Sequence, residues 1–133
     1  MTQSGIPQSH VDLLTKKGLA HLVTLLPDGK PQSTPVWVDY DGKYVLINTA
    51  VGRLKDKNMQ RDPRVAFSIT DPENPYRYLE VRGRVVERTQ SGADQHIDAL
   101  AKRYLGQDKY PFRAPGEVRV IYEIAIDSCQ GNG

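Results

Sequence analysis

The chain has 133 residues, 38% of them hydrophobic and 26% charged, a composition that excludes a disordered, collagen-like or helical membrane chain and fits one domain able to bury a core without disulfides or metal. Its 18 Lys and Arg against 16 Asp and Glu leave a formal charge of only +2, little for a chain that coats nucleic acid. Five basic and two acidic residues fall between Arg53 and Arg64, so that segment carries +3 and the remainder −1.

In chain order, Met1-Thr2-Gln3-Ser4-Gly5 lacks the basic region and apolar core of a leader, and no stretch reaches the ~18 apolar residues of a membrane span. The expectation is a cytoplasmic protein with no membrane partner. Pro7 to Lys17, with Val11, Leu13 and Leu14 before Gly18, reads as a short helix. Leu19 to Leu26, the turn Pro27-Asp28-Gly29-Lys30 and the return through Pro31 to Tyr40 form a hairpin. Asp41-Gly42 predicts a tight turn into a third strand over Lys43 to Thr49.

Val65 to Thr70 alternates apolar and polar residues; Asp71 to Pro75 is a loop, and Tyr78 to Arg88 a longer strand in which Gly83 marks a bulge or bend. Ala93, Ile97, Leu100, Ala101 and Tyr104 repeat at helical spacing up to Gly106. Val118, Val120, Tyr122, Ile124 and Ile126 alternate with Arg119, Ile121, Glu123, Ala125 and Asp127, the period of a strand with one buried face. Cys129 is the only cysteine, which excludes an intrachain disulfide and multi-cysteine metal sites. Its polar surroundings read as a fraying tail over residues 128–133, with another over residues 1–6.

About six strands joined mostly by tight turns give no βαβ alternation. The predicted fold is mainly β: one domain over residues 1–133, a small antiparallel barrel with peripheral helices. The sequence has no dinucleotide-binding glycine pattern, phosphate-binding loop, nucleophile elbow or H-E-x-x-H. His10, His21 and His96 lack ligand spacing and read as exposed or hydrogen-bonded histidines, so no metal site is assigned.

The basic segment Gly52 to Val65 admits three readings. If residues 52–60 are helical, Arg53, Lys57 and Gln60 share one face and Lys55, Asn58 and Met59 another. Arg53 and Lys55 then stand at the first turn, where free N–H groups favour a phosphate. The same residues also fit a solvated face with an Asp62-Pro63 turn, or a nucleic-acid surface, against which stand the low net charge and the lack of a recognition helix. Just before them lie Thr34-Pro35-Val36-Trp37, with the only tryptophan, and Asn48-Thr49-Ala50 at a strand end. A flat ring could lie along these strands with its phosphate at Arg53 and Lys55; Trp37 as plain core is the alternative.

The succession His21-Leu22-Val23-Thr24-Leu25, Pro27-Asp28-Gly29-Lys30-Pro31, Pro35-Val36-Trp37, Asn48-Thr49-Ala50, Arg53-Leu54-Lys55-Asp56-Lys57-Asn58 and Arg61-Asp62-Pro63-Arg64-Val65 resembles the split-barrel flavin-binding family of pyridoxamine 5′-phosphate oxidase. Within it, the sequence looks most like the small actinobacterial-type proteins that use the deazaflavin coenzyme F-420. The similarity spans roughly residues 7 to 127, and its most specific part is K-x-x-N-x-x-R-D-P-R-V.

The resemblance implies a six-stranded antiparallel split β-barrel of the FMN-binding type and a homodimer with paired cofactor sites at its interface, the region around Tyr78 supplying partner contacts. It implies Arg53, Lys55 and Asn58 at the cofactor phosphate with Lys57 nearby, Thr34, Pro35, Val36, Trp37, Asn48, Thr49 and Ala50 around the ring, and Asp62-Pro63-Arg64 as a structural turn. The short stretch after the last strand departs from true pyridoxamine phosphate oxidases and points away from vitamin B6 chemistry. The expected function is hydride transfer from reduced coenzyme F-420 to an electron-poor small molecule such as an enone, quinone or tetrapyrrole. The alternatives are an FMN-dependent oxidoreductase or a non-catalytic flavin carrier on the same barrel. Cofactor chemistry of this kind needs no acid–base constellation, and no catalytic side chain is assigned.

Overall fold

The computed structural model describes residues 5–133. Strands β1 (Ala20–Leu25), β2 (Pro31–Val36), β3 (Asp39–Tyr40), β4 (Val45–Ala50), β5 (Arg64–Asp71), β6 (Asn74–Thr89) and β7 (Arg119–Asn132) alternate with helices α1 (Leu54–Arg61) and α2 (Ala93–Leu105). The strands make a single sheet in the order β2-β1-β5-β6-β7-β4-β3, every neighbouring pair antiparallel. The sheet curls into a split barrel with both helices at its periphery. Its inward positions carry Leu22, Ile47, Phe67, Leu79, Tyr122 and Ile124, all at most 1–2% exposed, as the period-two apolar pattern requires.

Seven strands replace the expected six because the run from Pro31 to Tyr40 breaks at Trp37 and Val38. The break falls where the curled sheet meets itself: β2 and β3 are the two edges of the sheet and are consecutive in the chain. Across this seam, α2 side chains replace a strand partner. The Val38 N–H donates to the Tyr104 hydroxyl (3.2 Å), which donates to the Gly18 carbonyl (2.7 Å), and Arg103 Nη1 donates to the Val38 carbonyl (3.1 Å). Pro35 sits on edge strand β2 opposite His21, where a missing N–H costs no central ladder bond.

Two expectations are corrected. The helix expected over Pro7 to Lys17 is a single 3-10 turn, Val11–Leu14, which buries Leu13 and Leu14. The tail expected to fray from residue 128 is instead the end of β7, paired with β6 through Asn132 and setting Cys129 opposite Val81. Sixteen-residue β6 offers a partner that far, and pairing overrides the weak strand propensity of Ser-Cys-Gln-Gly-Asn. At the other end Ile6 packs on the core, and the Gly5 carbonyl accepts the Cys129 thiol at 3.3 Å; the rest of that expected tail, residues 1–4, lies outside the described residues. Gly83 does mark a bulge: the β6–β7 register shifts between Arg82 and Gly83, and a Cβ there would meet the Ala125 carbonyl oxygen.

Candidate functional site

A cavity of about 220 Å³ opens at the seam. Pro35, Val36 and Trp37 form one side; Asn48 and Thr49 at the end of β4, Arg53 and Lys55 at the start of α1, and Arg119 at the start of β7 form the polar side; Ile97, Tyr110, Phe112 and Leu19 complete it. Trp37 stacks on Tyr104 (centroids 5.1 Å apart, 13° between planes) and meets Tyr110 edge-on at 5.9 Å, with Phe112 edge-on to Tyr110 at 5.8 Å. These are favoured aromatic geometries. Phe112 is 64% exposed, a large apolar group left at the mouth.

The entry into α1 is fixed from below. Gly52, at φ +93°, makes the turn out of β4, a conformation glycine alone adopts cheaply. Its N–H donates to Asp56 Oδ2 at 2.9 Å; Asp56 also accepts the Tyr122 hydroxyl (2.5 Å), Arg88 Nε (3.1 Å) and Gln60 Nε2 (3.2 Å). Burial pushes the Asp56 carboxyl up, but the Tyr122, Gly52 and Arg88 donors outweigh it and leave it below its ordinary value. This buried carboxylate clamps the first turn of α1 against β6 and β7, and Arg53 and Lys55 are thereby presented to the cavity. Arg53 stands at the N-cap with no side-chain cap bond on the turn, so the turn's N–H groups stay open to an anion.

The cations differ in their partners. Arg53 lies 3.7 Å from Glu117, and Arg119 is bound to the same carboxylate at 3.0 Å. Arg119 also donates through Nε to Asn48 Oδ1 (2.9 Å) and lies over the Tyr110 ring at 5.1 Å. Half-buried Lys55 has no hydrogen bond or ion pair with any described residue. Desolvation first, then the charges of Arg53 and Arg119, pushes its ammonium below the usual lysine value. Thr49 is 1% exposed, and its Oγ1 is the one buried side-chain polar atom without a partner among the described residues. Unpaired buried groups are costly; here one such group and a half-buried, unpartnered ammonium belong to residues lining one cavity.

Of the residues expected around a cofactor, Pro35, Val36, Trp37, Asn48, Thr49, Arg53 and Lys55 line this cavity; Thr34, Ala50, Lys57 and Asn58 do not. Lys57 is exposed and Ala50 buried. Asn58, fully buried, donates to Thr24 Oγ1 (3.1 Å) and Gln32 Oε1 (3.3 Å) and accepts from Arg61 Nη2 (2.9 Å). It ties α1 to β1 and β2, a packing role in place of a phosphate contact. Arg61 reaches the Leu25 carbonyl and Arg64 pairs with Asp62, so the basic segment divides between cavity and scaffold. Tyr110, Phe112 and Arg119 were not singled out by sequence. His10 and His96 are hydrogen-bonded, to Ser9 and Asn132 and to Asn48 and Asp39 respectively.

The sequence profile described as pyridoxamine 5′-phosphate oxidase matches residues 6–132. The chain belongs to that family. Among solved structures similar to this pyridoxamine 5′-phosphate oxidase family member, an F-420 reductase is 33% identical, over 94% of this chain and 98% of that one, with a TM-score of 0.82. A Listeria innocua protein that carries the oxidase name matches at 17% identity, over 92% of this chain and 94% of its own, with a TM-score of 0.70. A conserved hypothetical protein of Mycobacterium tuberculosis matches at 21%, over 99% and 89%, with a TM-score of 0.72. The last two share the family's fold at identities that carry no further argument. No helix of the described residues is long and apolar enough to cross a membrane.

Proposed function

We propose that the protein is an oxidoreductase that uses coenzyme F-420 to reduce an electron-poor conjugated small molecule. The observation that carries this reading is the placing, in one aromatic-walled cavity, of an unpartnered Lys55 ammonium beside an open helix N-terminus. Those residues fit a phosphate-bearing ring cofactor, and the 33%-identical F-420 reductase supports the deazaflavin over FMN. In this reading Arg53, Lys55 and the first-turn N–H groups hold the phosphate. Pro35, Val36, Trp37 and Tyr110 flank the ring and exclude water. The bound deazaflavin supplies the hydride, so the protein's share is binding, orientation and dryness.

The cavity's 220 Å³ is below the roughly 300–1,000 Å³ of most small-molecule sites. That deficit, with exposed Phe112 at the mouth and Leu54 and Val118 exposed beside cavity residues in the chain, supports a homodimer in which a second copy closes each site. The protein is incubated with F-420 or with FMN, passed through a desalting column, and its absorbance recorded. Retention of F-420, and reoxidation of the retained cofactor by a quinone or enone acceptor after it has been chemically reduced by two electrons, is the expected result. Retention of FMN alone overturns the cofactor assignment, and retained F-420 that no acceptor oxidises makes the protein a carrier.

A further inference from the structure

The Asn48 amide has only one orientation that its neighbours accept. Its Nδ2 donates to the Ala93 carbonyl (2.9 Å) and to His96 Nδ1 (3.1 Å), and its Oδ1 accepts from Arg119 Nε (2.9 Å). A carbonyl only accepts and a guanidinium only donates. Exchanging the two ends of the amide would set oxygen against oxygen at Ala93 and donor against donor at Arg119. His96 Nδ1 is therefore the acceptor and its ring proton sits on Nε2, 3.1 Å from Asp39 Oδ2. His96 reports no contact with the cavity itself, yet Asn48 and Arg119 line it.

We propose that His96 is a positioning residue: as the Nε2–H tautomer it fixes the Asn48 amide, which fixes the Arg119 guanidinium in the cavity wall. The inference holds whichever ligand the cavity takes. A proton added at Nδ1 turns the acceptor into a donor facing the Nδ2 donor, so the amide must leave either His96 or Arg119. The charged groups around the imidazole divide. Asp39 on β3 favours the imidazolium and is itself held ionised, its carboxyl pushed up by burial but drawn further down by His96 and Arg103. Arg103 on α2, 2.8 Å from Asp39 Oδ1, and Arg119 on β7 oppose the added charge; Glu117, paired with Arg119, offsets it in part. Beyond Arg119 the contacts run to the Tyr110 face and from Tyr110 to the only tryptophan, Trp37, which makes Trp37 fluorescence an internal reporter.

The test uses ¹⁵N-labelled protein without ligand. At about pH 8, histidine ring spectra show His96 as the Nε2–H tautomer and a protected Arg119 Nε–H signal. On acidification, once the same ring spectra show a proton on His96 Nδ1, exchange of that Nε–H is faster by about fivefold or more and Trp37 emission shifts. Asn48→Asp loses the bond to the Ala93 carbonyl but keeps an acceptor on Arg119 Nε and can accept from His96 Nδ1 once that nitrogen carries a proton, so it removes the Arg119 response to acid. His96→Ala, folded by circular dichroism, shows the faster exchange already at about pH 8. The Nδ1–H tautomer in the wild type, or Arg119 exchange within about twofold of wild type in His96→Ala, overturns the proposal; the tautomer decides the matter even if the variant does not fold.

Discussion

Lys55 shows how one residue can be set against stability. Its folded-state pKa is depressed, chiefly by desolvation, so the charged form is less at home in the fold than in the unfolded chain, and the charge costs stability at every pH where it is retained. An anion in the cavity relieves that cost and raises the pKa, so binding takes up protons and weakens as pH rises through the ligand-free value, below the ordinary 10.5. Two outcomes follow for Lys55→Met. Denaturant titration of the ligand-free variant gives a midpoint at or above wild type, while affinity for the phosphate-bearing cofactor falls by the ~1.5–3 kcal/mol of a charged hydrogen bond. A loss of both stability and affinity would make Lys55 scaffold.

Asn58 and Gly83 carry the complementary lesson for elements. Asn58→Ala strips α1 of its ties to Thr24 and Gln32, takes an acceptor from Arg61 and leaves buried Thr24 without that donor. Urea unfolding is expected to show a loss of about 1–3 kcal/mol with cofactor affinity nearly unchanged, the reverse of Lys55→Met. Gly83→Ala, which drives a Cβ into the Ala125 carbonyl at the bulge, is expected to cost about 1–3 kcal/mol by the same assay. Gly83 was legible in the sequence because a glycine within an alternating run has few other uses; α2 and the first two-thirds of β7 were legible by period. The last turns of β7 were not, since a polar strand exists only where a partner is offered. Arg119 was hidden differently: it stands in the outward phase of β7's alternation, yet Asn48 and Glu117 bind it and it is 3% exposed. Arg53 and Lys55 could be read because they lie two positions apart in one basic run. Tyr110 and Phe112 come from a loop whose place at the cavity only the fold decides.

For the whole molecule, the small cavity and the apolar groups around it make the proposed homodimer the property to test. Sedimentation is expected to return twice the 14.9 kDa chain mass at micromolar protein, and Phe112→Asp to shift the population toward monomer while weakening cofactor retention together with it. A monomer that binds cofactor with full affinity would show that one chain makes the site alone. Most of the molecule resists such changes, because β5, β6 and β7 pair over long registers and bury their shared face.

The seam is different in kind. Its two edges are joined along the chain by Trp37 and Val38, a span from Val36 to Asp39 that can reach about 10–11 Å when extended, roughly two strand spacings, and across it by Arg103 and Tyr104 of α2. No ladder sets the distance between those edges; chain length does. Side-chain replacements such as one at Phe112 therefore reshape the walls and mouth of the cavity but leave the spacing of the two edges as it is. Inserting or deleting a single residue between Val36 and Asp39 would change the aperture directly, which makes the length of that link the inherited dimension against which the size of an admissible ligand is measured.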